Sequence, residues 1–492
     1  MNFGFNTAVR SLIASQRAIY IADHNISNTK TPGYSRQTGS QRTTTPFYLP
    51  GTGYLGTGVE VYNVERIRDS YVDFKYWNES APLGEWEIKR ENLYEIEKLF
   101  GEPSNSSFRQ YLDDFYASLE YMSQNPSDLS YREPVRENAL AFTKHINESA
   151  VRLQNLRRDV ESSIDAKVKN INTLANQIAA LNKQIYSSEI DGRTANDLRD
   201  RRDVLLDDLS KIANIKVDEF DNGKTRVSIS GISLVDHDYV SEIKVVKDEI
   251  GADKTIKLQW GNESDVKLRS GELKGLIEMY NGDGENGSYR GIPYYQKKLD
   301  EFAKGFADKF NKLHSGGYGL GKKENGDPRT GINFFVGEKN DPNPDNITAA
   351  TITLSNEILD ETLGGLKNIA AAKDEDGLAD DNRNLLSLLE QRENRTFFDG
   401  TTSSQGTPDD FLKSIISNLA VDSLQGKRME DSQNIMLRNI ESKRDSISSV
   451  NPDEEMADIV SYQHIYIASA RMVTTIDTIM DVTINRLGLV GR

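Results

Sequence analysis

Two glycine-rich runs in this chain have spacings that elsewhere cradle phosphates. Gly51-Thr52-Gly53-Tyr54-Leu55-Gly56 matches the G-x-G-x-x-G fingerprint. In dinucleotide sites that loop follows a strand and opens a helix, whose N-terminus receives the pyrophosphate. Here a Thr/Pro-rich stretch precedes the run and Val59-Glu60-Val61 follows it, so neither flank suits a nucleotide. Gly316-Gly317-Tyr318-Gly319-Leu320-Gly321-Lys322-Lys323 comes close to a phosphate loop. Lys323 stands where the Mg²⁺-binding hydroxyl belongs, and the run follows a helical stretch, not a strand. It reads better as the glycine end of that helix. His24, His145, His237, His314 and His464 lack metal-ligand spacing. No G-x-S-x-G elbow occurs. The acidic loops 281–287 and 373–381 lack the ligand spacing and closing Glu of a calcium loop. These residues assemble no catalytic, cofactor or metal site. Both glycine runs are expected to act as backbone hinges, with positive φ at one or more glycines of the first.

The stronger pattern is helical and lies at the two ends. Phe5, Ala8, Leu12, Ser15, Ile19, Ala22 and Ile26 recur at alternating steps of three and four. Ile459, Tyr462, Tyr466, Ser469, Val473, Ile476, Met480, Thr483 and Leu487 repeat the pattern, with Met456 before them. Such seams belong to helices packed side by side. A lone amphipathic helix cannot bury its stripe, so each end needs a partner. That partner is either the other end together with neighbouring copies, or one globular core. The ends also differ in charge. Arg10, Arg17 and Lys30 face one acid, Asp23, within residues 1–35. Residues 451–492 set three arginines against six acids. Opposite signs favour pairing and add specificity more than strength.

The totals narrow the function classes. The net charge of −16 disfavours nucleic acid and anionic membrane surfaces. No apolar run is long enough to span a bilayer, and Arg10, Gln16 and Arg17 interrupt any secretory h-region. Cysteine is absent, which removes disulfides and thiolate chemistry.

The predicted fold is mainly α with β insertions (α+β). Terminal helices form an inner coiled-coil layer around a long helical-bundle body with small strand-rich outer modules. Helix is expected over 1–28, 66–125, 133–188 and 196–212, then over 269–282, 293–314 and 409–490. Asn125-Pro126 and Asp191-Gly192 break the first set. Asn451-Pro452, with Glu454 at the capping-box position, restarts the last stretch. Residues 38–58 read as an extended loop and Val59, Val61 and Val64 as a short strand. Asp221-Asn222-Gly223 and the alternation at Val227 and Ile229 predict a hairpin. The expected units are 1–45 with 451–492, the inner terminal coiled coil; 46–214 with 266–320 and 405–450, the helical body; 215–265, a strand-rich module; and 321–404, a mixed loop and strand region.

Short blocks then carry a resemblance. Ile26-Ser27-Asn28-Thr29-Lys30-Thr31-Pro32-Gly33-Tyr34-Ser35-Arg36-Gln37 resembles the N-terminal signature of bacterial flagellar rod, hook and hook-associated proteins. Its Ser-Arg-Gln ending resembles the hook-associated branch at the hook–filament junction. Gly56-Thr57-Gly58-Val59 and Arg66-Ile67-Arg68-Asp69 are similar to the next block. Ala195-Asn196-Asp197-Leu198 through Leu206, Gly271 through Leu276, and Asn311 through His314 resemble the helical domain. Asp453-Glu454-Glu455-Met456 through Asn485-Arg486-Leu487-Gly488 resembles the C-terminal signature of this axial family.

The resemblance implies a structural subunit without enzymatic activity. It implies export through the flagellar type III apparatus without a cleaved signal, and an extracellular place in the flagellum. The implied partners are copies of the chain in a helical ring, hook protein on one side, a second junction hook-associated protein on the filament side, and an export chaperone on the C-terminal segment. Nucleic acid and membrane insertion are not expected. The family's terminal segments are disordered in the monomer and helical after assembly, which suits long stripes that cannot bury themselves alone. The competing readings are a hook or distal-rod subunit, which would lack the long helical block at 133–212, a nucleotide-binding enzyme using either glycine run, and a coiled-coil adhesin, which would lack the 25–37 signature.

Overall fold

The computed structural model describes residues 2–100, 108–220, 223–248, 254–323, 326–375, 380–399 and 405–486. Leu487 and Gly488 of the C-terminal blocks, and Asp221 and Asn222 of the hairpin turn, lie outside them.

The chain opens with α1 (Asn2–Ser27), followed by β1 (Gln37–Thr43), β2 (Phe47–Leu49), β3 (Gly53–Leu55) and β4 (Val59–Arg66). The body begins with α2 (Ser70–Phe100), α3 (Phe108–Gln124), α4 (Leu129–Ser188) and α5 (Asn196–Ile212). Strands β5 (Ile215–Glu219), β6 (Thr225–Ile229), β7 (Ile232–Asp236), β8 (Tyr239–Val240), β9 (Ile243–Asp248) and β10 (Thr255–Trp260) come next. Then follow α6 (Glu272–Asn281), α7 (Ile292–Gly316), β11 (Phe335–Val336), β12 (Thr353–Leu354), α8 (Asn356–Leu359) and α9 (Arg383–Glu390). Two long helices close the chain: α10 (Pro408–Ser448) and α11 (Pro452–Asp481).

Helix α4 is the spine. Its 60 residues span about 90 Å at 1.5 Å per residue. It starts four residues earlier than the apolar pattern predicts because Asp128 caps it, accepting from the Ser130 N–H. Val160, Ile164, Val168, Ile171, Ala175 and Ile178 are buried along one stripe, and Leu156 is half-buried. Near its N-terminal end the core is aromatic: Phe108, Phe115, Phe142, Phe302, Phe306, Phe310, Phe334 and Phe335 are fully enclosed. The antiparallel sheet β5-β6-β7-β8 and the β9–β10 pair turn Val227, Leu234, Ile243, Leu258 and Trp260 into the same continuous core.

At α11 Asn451 does cap, but its side chain accepts from the N–H of Asp453, two residues on. A reciprocal capping box instead opens α10, between Thr407 and Asp410. The stretch expected as loop over 38–58 holds strands β1, β2 and β3. β1 pairs with β4 in antiparallel register, Gln37 opposite Arg66 and Thr43 opposite Val59. Its sequence lacks apolar alternation because it lies against α1 through Gly39, where a Cβ would stand 2.8 Å from Ile21 Cδ1.

The glycine runs have structural duties. The first forms the β2–β3 turn; Gly51, Gly53 and Gly58 have positive φ, and Gly56 does not. In the second, α7 ends at Gly316, and Gly317 follows in extended conformation without a left-handed cap. The N–H groups that would face a phosphate are engaged elsewhere: Tyr318 donates to Ala372 O, Gly319 to Arg329 O and Leu320 to Lys367 O.

Candidate assembly site at the joined chain ends

Helices α1 and α11 lie side by side and antiparallel. Gly4 sits against Ile476, Ser11 Oγ accepts from Ser469 Oγ at 2.9 Å, and Asn25 meets Glu455. The residue numbers of each pair total 480, so one register runs from Gly4 to Asn25, about six turns of helix. Small residues at the crossing points allow the close approach; Ala8, Ser15, Ala22 and Ser469 are all buried.

Around this line the expected seam residues are distributed as follows. Phe5, Leu12, Ile19 and Ile26 are half-buried on α1. Ile459, Val473, Ile476 and Met480 are half-buried on α11. Tyr466 is 36% exposed and Met456 59% exposed, and Glu455 holds the position one turn before Ile459. A second face of α1, carrying Ala14, Ala18 and Ile21, is buried beside the β1–β4 pair. The only fully buried residues of α11 among those described are Glu455 and Ser469.

A polar node closes the seam where both helices meet the body. Asn25 Nδ2 donates to Gln37 O at 2.9 Å and to Glu455 Oε2 at 3.0 Å. Its Oδ1 accepts from Tyr34 Oη at 2.8 Å and from the Gln37 N–H at 2.9 Å. Two donors and two acceptors exhaust the amide. Arg36 Nε donates to Glu455 Oε1 at 2.6 Å. The Arg36 backbone N–H donates to Ser448 O, at the end of α10, and its carbonyl accepts from Ile67 N–H.

The signature residues carry this node onto α5. Ser35 donates from its N–H and its hydroxyl to the two oxygens of Asp200, at 3.1 and 2.9 Å. Gln37 Nε2 reaches Asp197 at 2.8 Å. Arg66 Nη1 lies 2.7 Å from both Asp200 and Asp203. Arg68 pairs with Asp73 at 2.6 Å and Asp203 at 3.3 Å. Arg444 of α10 bridges Asp73 and Asp207 at 2.9 and 2.8 Å. Burial raises the carboxyl of Asp200 despite Arg66 and Ser35. It raises Asp207 despite Arg444. At Asp203 burial pushes upward too, but Arg68, Arg66 and Arg202 together outweigh it and hold that carboxyl low. Burial, then Asp197, Asp200 and Glu455, raise the Tyr34 phenol, which keeps it a donor to Asn25.

Gly33 is required on two counts. Its φ is +75°, and a Cβ would stand 2.1 Å from Val204 Cγ2 on α5. Asn28 donates to His24 O at 2.9 Å and accepts from Thr31 Oγ1 at 3.1 Å, which closes the turn after α1. Thr31 and Pro32 are exposed and line a groove of about 570 Å³ between this turn, α4 and α5.

Sequence reasoning did not single out Asn25, Asp200 or Arg444, and it met Glu455 only as part of the C-terminal signature, with no role. Asn25 left a signal: a polar residue on the inward face of α1, one step before Ile26. The carboxylates of α5 left little, because Asp on a charged helix is usually solvent-facing.

Comparison with known proteins places this arrangement of joined termini on a long helical body in the flagellar axial class, structural proteins of the bacterial flagellum. The family model described as the flagellar hook-associated protein FlgK helical domain matches residues 93–335. The one described as the flagellar basal body rod FlgEFG protein C-terminal matches residues 442–487. Flagellar hook-associated protein 1 of Bacillus subtilis is 30% identical over 99% of each chain. Its Escherichia coli counterpart is 24% identical over 98% of this chain and 99% of its own. The solved structure of the flagellar hook junction protein FlgK from Burkholderia pseudomallei shares the fold, with a TM-score of 0.62 at 14% identity, over 76% of this chain and 100% of that one. This chain belongs to the flagellar hook-associated protein 1 family. It is a structural protein of the hook–filament junction.

Proposed function

We propose that copies of this chain assemble through α1 and α11 into a helical ring between hook and filament. The carrying observation is the one-sided cover of α11. Its α1-facing line is partly covered, while Val460, Ile465, Ile467, Met472 and Ile479 stay between 44% and 56% exposed. An apolar helix face of that extent needs further helices, and identical neighbours supply them. Hook protein meets one side of the ring and a second junction hook-associated protein the other.

The seam residues are those of α1 from Phe5 to Ile26 and of α11 from Met456 to Met480, with Leu487 beyond. Residues 28–37 join seam to body. The units are the terminal pair (1–45 with 451–492), the helical body (46–214, 266–320, 405–450), the strand module (215–265) and the outer region (321–404). The chain leaves the cell through the flagellar type III apparatus, with a chaperone on its C-terminal segment. It has no catalytic role, and titration with ATP, GTP or NAD should give no heat of binding. Antibody labelling of isolated flagella tests the reading. Label in a single band between hook and filament is expected; label along the hook or rod would contradict it.

A further inference from the structure

The four residues after Gly33 send their side chains alternately to two parts of the molecule. Tyr34 and Arg36 reach the terminal pair: Tyr34 Oη donates to Asn25 of α1 at 2.8 Å, and Arg36 Nε to Glu455 of α11 at 2.6 Å. Ser35 and Gln37 reach α5: Ser35 Oγ donates to Asp200 at 2.9 Å, and Gln37 Nε2 to Asp197 at 2.8 Å. Asp197 and Asp200 are three apart and so share one face of α5. Burial alternates in step, with Ser35 and Gln37 buried and Tyr34 and Arg36 half-buried. Successive side chains of an extended backbone point to opposite sides, so a shift of this short segment is felt on both.

Docking of α11 holds the segment in place. Asn25 grips Gln37 at both its N–H and its carbonyl, each at 2.9 Å, while donating to Glu455 at 3.0 Å. Glu455 is 3% exposed and takes Arg36 on its other oxygen. When α11 leaves α1, that carboxylate goes with it. Arg36 then also loses Glu454 at 3.7 Å and Asp458 at 3.9 Å, and Asn25 loses one of its two acceptors. The peptides on either side of Arg36 belong to Ser35 and Gln37, the two residues that hold α5. Undocking is a discrete event, because α11 buries only Glu455 and Ser469 among its described residues and little else keeps it closed. A direct contact from α1 to α5 also exists, His24 Nε2 to Asp197 at 3.5 Å, but both side chains are partly exposed and such a pair adds little.

We propose that residues 34–37 couple the seam to the body, so that docking of α11 on α1 and the hold on α5 are one cooperative event. Ser35 is then a positioning residue for a seam that it does not touch. Coupling between two sites is reciprocal. Neighbouring copies that cover α11, on the self-assembly reading above on which this rests, also tighten the hold of Ser35 and Gln37 on α5. In the other direction, a firm hold on α5 favours closed α11.

A double-mutant cycle tests this, because the two side chains have separate partners: Ser35 bonds to Asp200 and Arg68, and Glu455 to Asn25 and Arg36. The temperature at which filaments detach from hooks is measured for Ser35→Ala, Glu455→Ala and the double variant, beside the parent. Should Ser35→Ala lower the melting of the soluble chain, Gln37→Ala takes its place in the cycle. Each single variant is expected to detach at a lower temperature, and the shift of the double variant to be smaller than the sum of the two. A shift equal to that sum or larger would overturn the coupling and leave the seam standing. So would a junction that the α5-facing variant leaves as firm as the parent's while Glu455→Ala weakens it. Unchanged detachment in Glu455→Ala would overturn the coupling from the other side. If the unsubstituted chain is missing from isolated flagella, the self-assembly reading itself falls, and the coupling with it.

Discussion

Asn25 and Glu455 are separated by 430 residues of chain, and their side chains meet at 3.0 Å. This bond ties the first helix to the last at the place where both meet the body. A buried polar pair in a seam of small and apolar residues fixes register. Sliding α11 by one turn would strand both groups, and would also part Ser11 from Ser469.

Asn25→Ala should therefore weaken the junction without unfolding the body. It leaves the Gln37 N–H and the Tyr34 hydroxyl without their acceptor, and Glu455 with Arg36 alone. Unsatisfied buried groups of this kind cost about 1–3 kcal/mol each. Filaments of the variant should detach from hooks at a lower temperature than the parent's, while the melting of the soluble chain stays the same. Equal detachment temperatures would show that the node does not set the seam.

The ends should be the least protected parts of the free monomer. Helix α11 buries only Glu455 and Ser469 among its described residues, so little free energy holds it closed. Hydrogen exchange should be fast over 1–35 and 455–486 and slow over 135–212. Protection at both ends equal to that of the body would contradict this.

Two glycines make a contrast. Gly33→Ala meets Val204 at 2.1 Å and sits at φ +75°, so it must displace α5 or the signature turn. Overpacking of that kind costs about 1–3 kcal/mol, with roughly 1 more for the left-handed backbone. Gly56→Ala meets nothing within 4 Å and has no positive φ. Detachment of filaments from hooks on heating should separate the two, with Gly33→Ala junctions failing at a lower temperature and Gly56→Ala junctions unmoved. The reverse order would assign the hinge wrongly.

Much of this architecture was legible. The helix over 196–212 and the helix start at Asn451-Pro452 were legible because the Asp191-Gly192 break and the Asn451 cap act locally. The terminal stripes and the 26–37 block pointed to the joined ends. What stayed hidden depends on partners distant in the chain. Polar β1 is a strand only because β4 and α1 flank it. Asp200 and Asp203 are buried only because Arg66 and Arg68 arrive from 130 residues upstream, as the Arg66–Asp200 bond shows by its separation of 134. No local pattern on α5 distinguishes such carboxylates from solvated ones.

His314 gives a pH prediction. It is fully enclosed, with Nδ1 2.8 Å from Ile332 O and Nε2 accepting from the Ala370 N–H at 3.0 Å. Burial lowers its pKa from 6.5 to about 4. Between those values the unfolded chain binds a proton that the folded chain refuses. Stability from this group is complete above pH 6.5 and falls with decreasing pH by about 1.4 kcal/mol per unit, until the folded form also protonates. His314→Gln removes the titration. The stability difference between parent and variant, measured by denaturant unfolding, should shrink from pH 7 to pH 4.5. A difference constant with pH would mean that His314 is not held neutral.

The central claim is that α1 and α11 form the seam through which copies join. Val473 is half-buried on the α1-facing line of α11. Val473→Asp places an unpaired carboxylate there, a costly change once neighbours cover it. The direct measurement is filament attachment in cells carrying Val473→Asp, with the exported chain and filament protein quantified in the medium. The expected result is folded, exported monomer, no junction on the hooks, and filament protein lost to the medium. Normal filaments on intact junctions would contradict it.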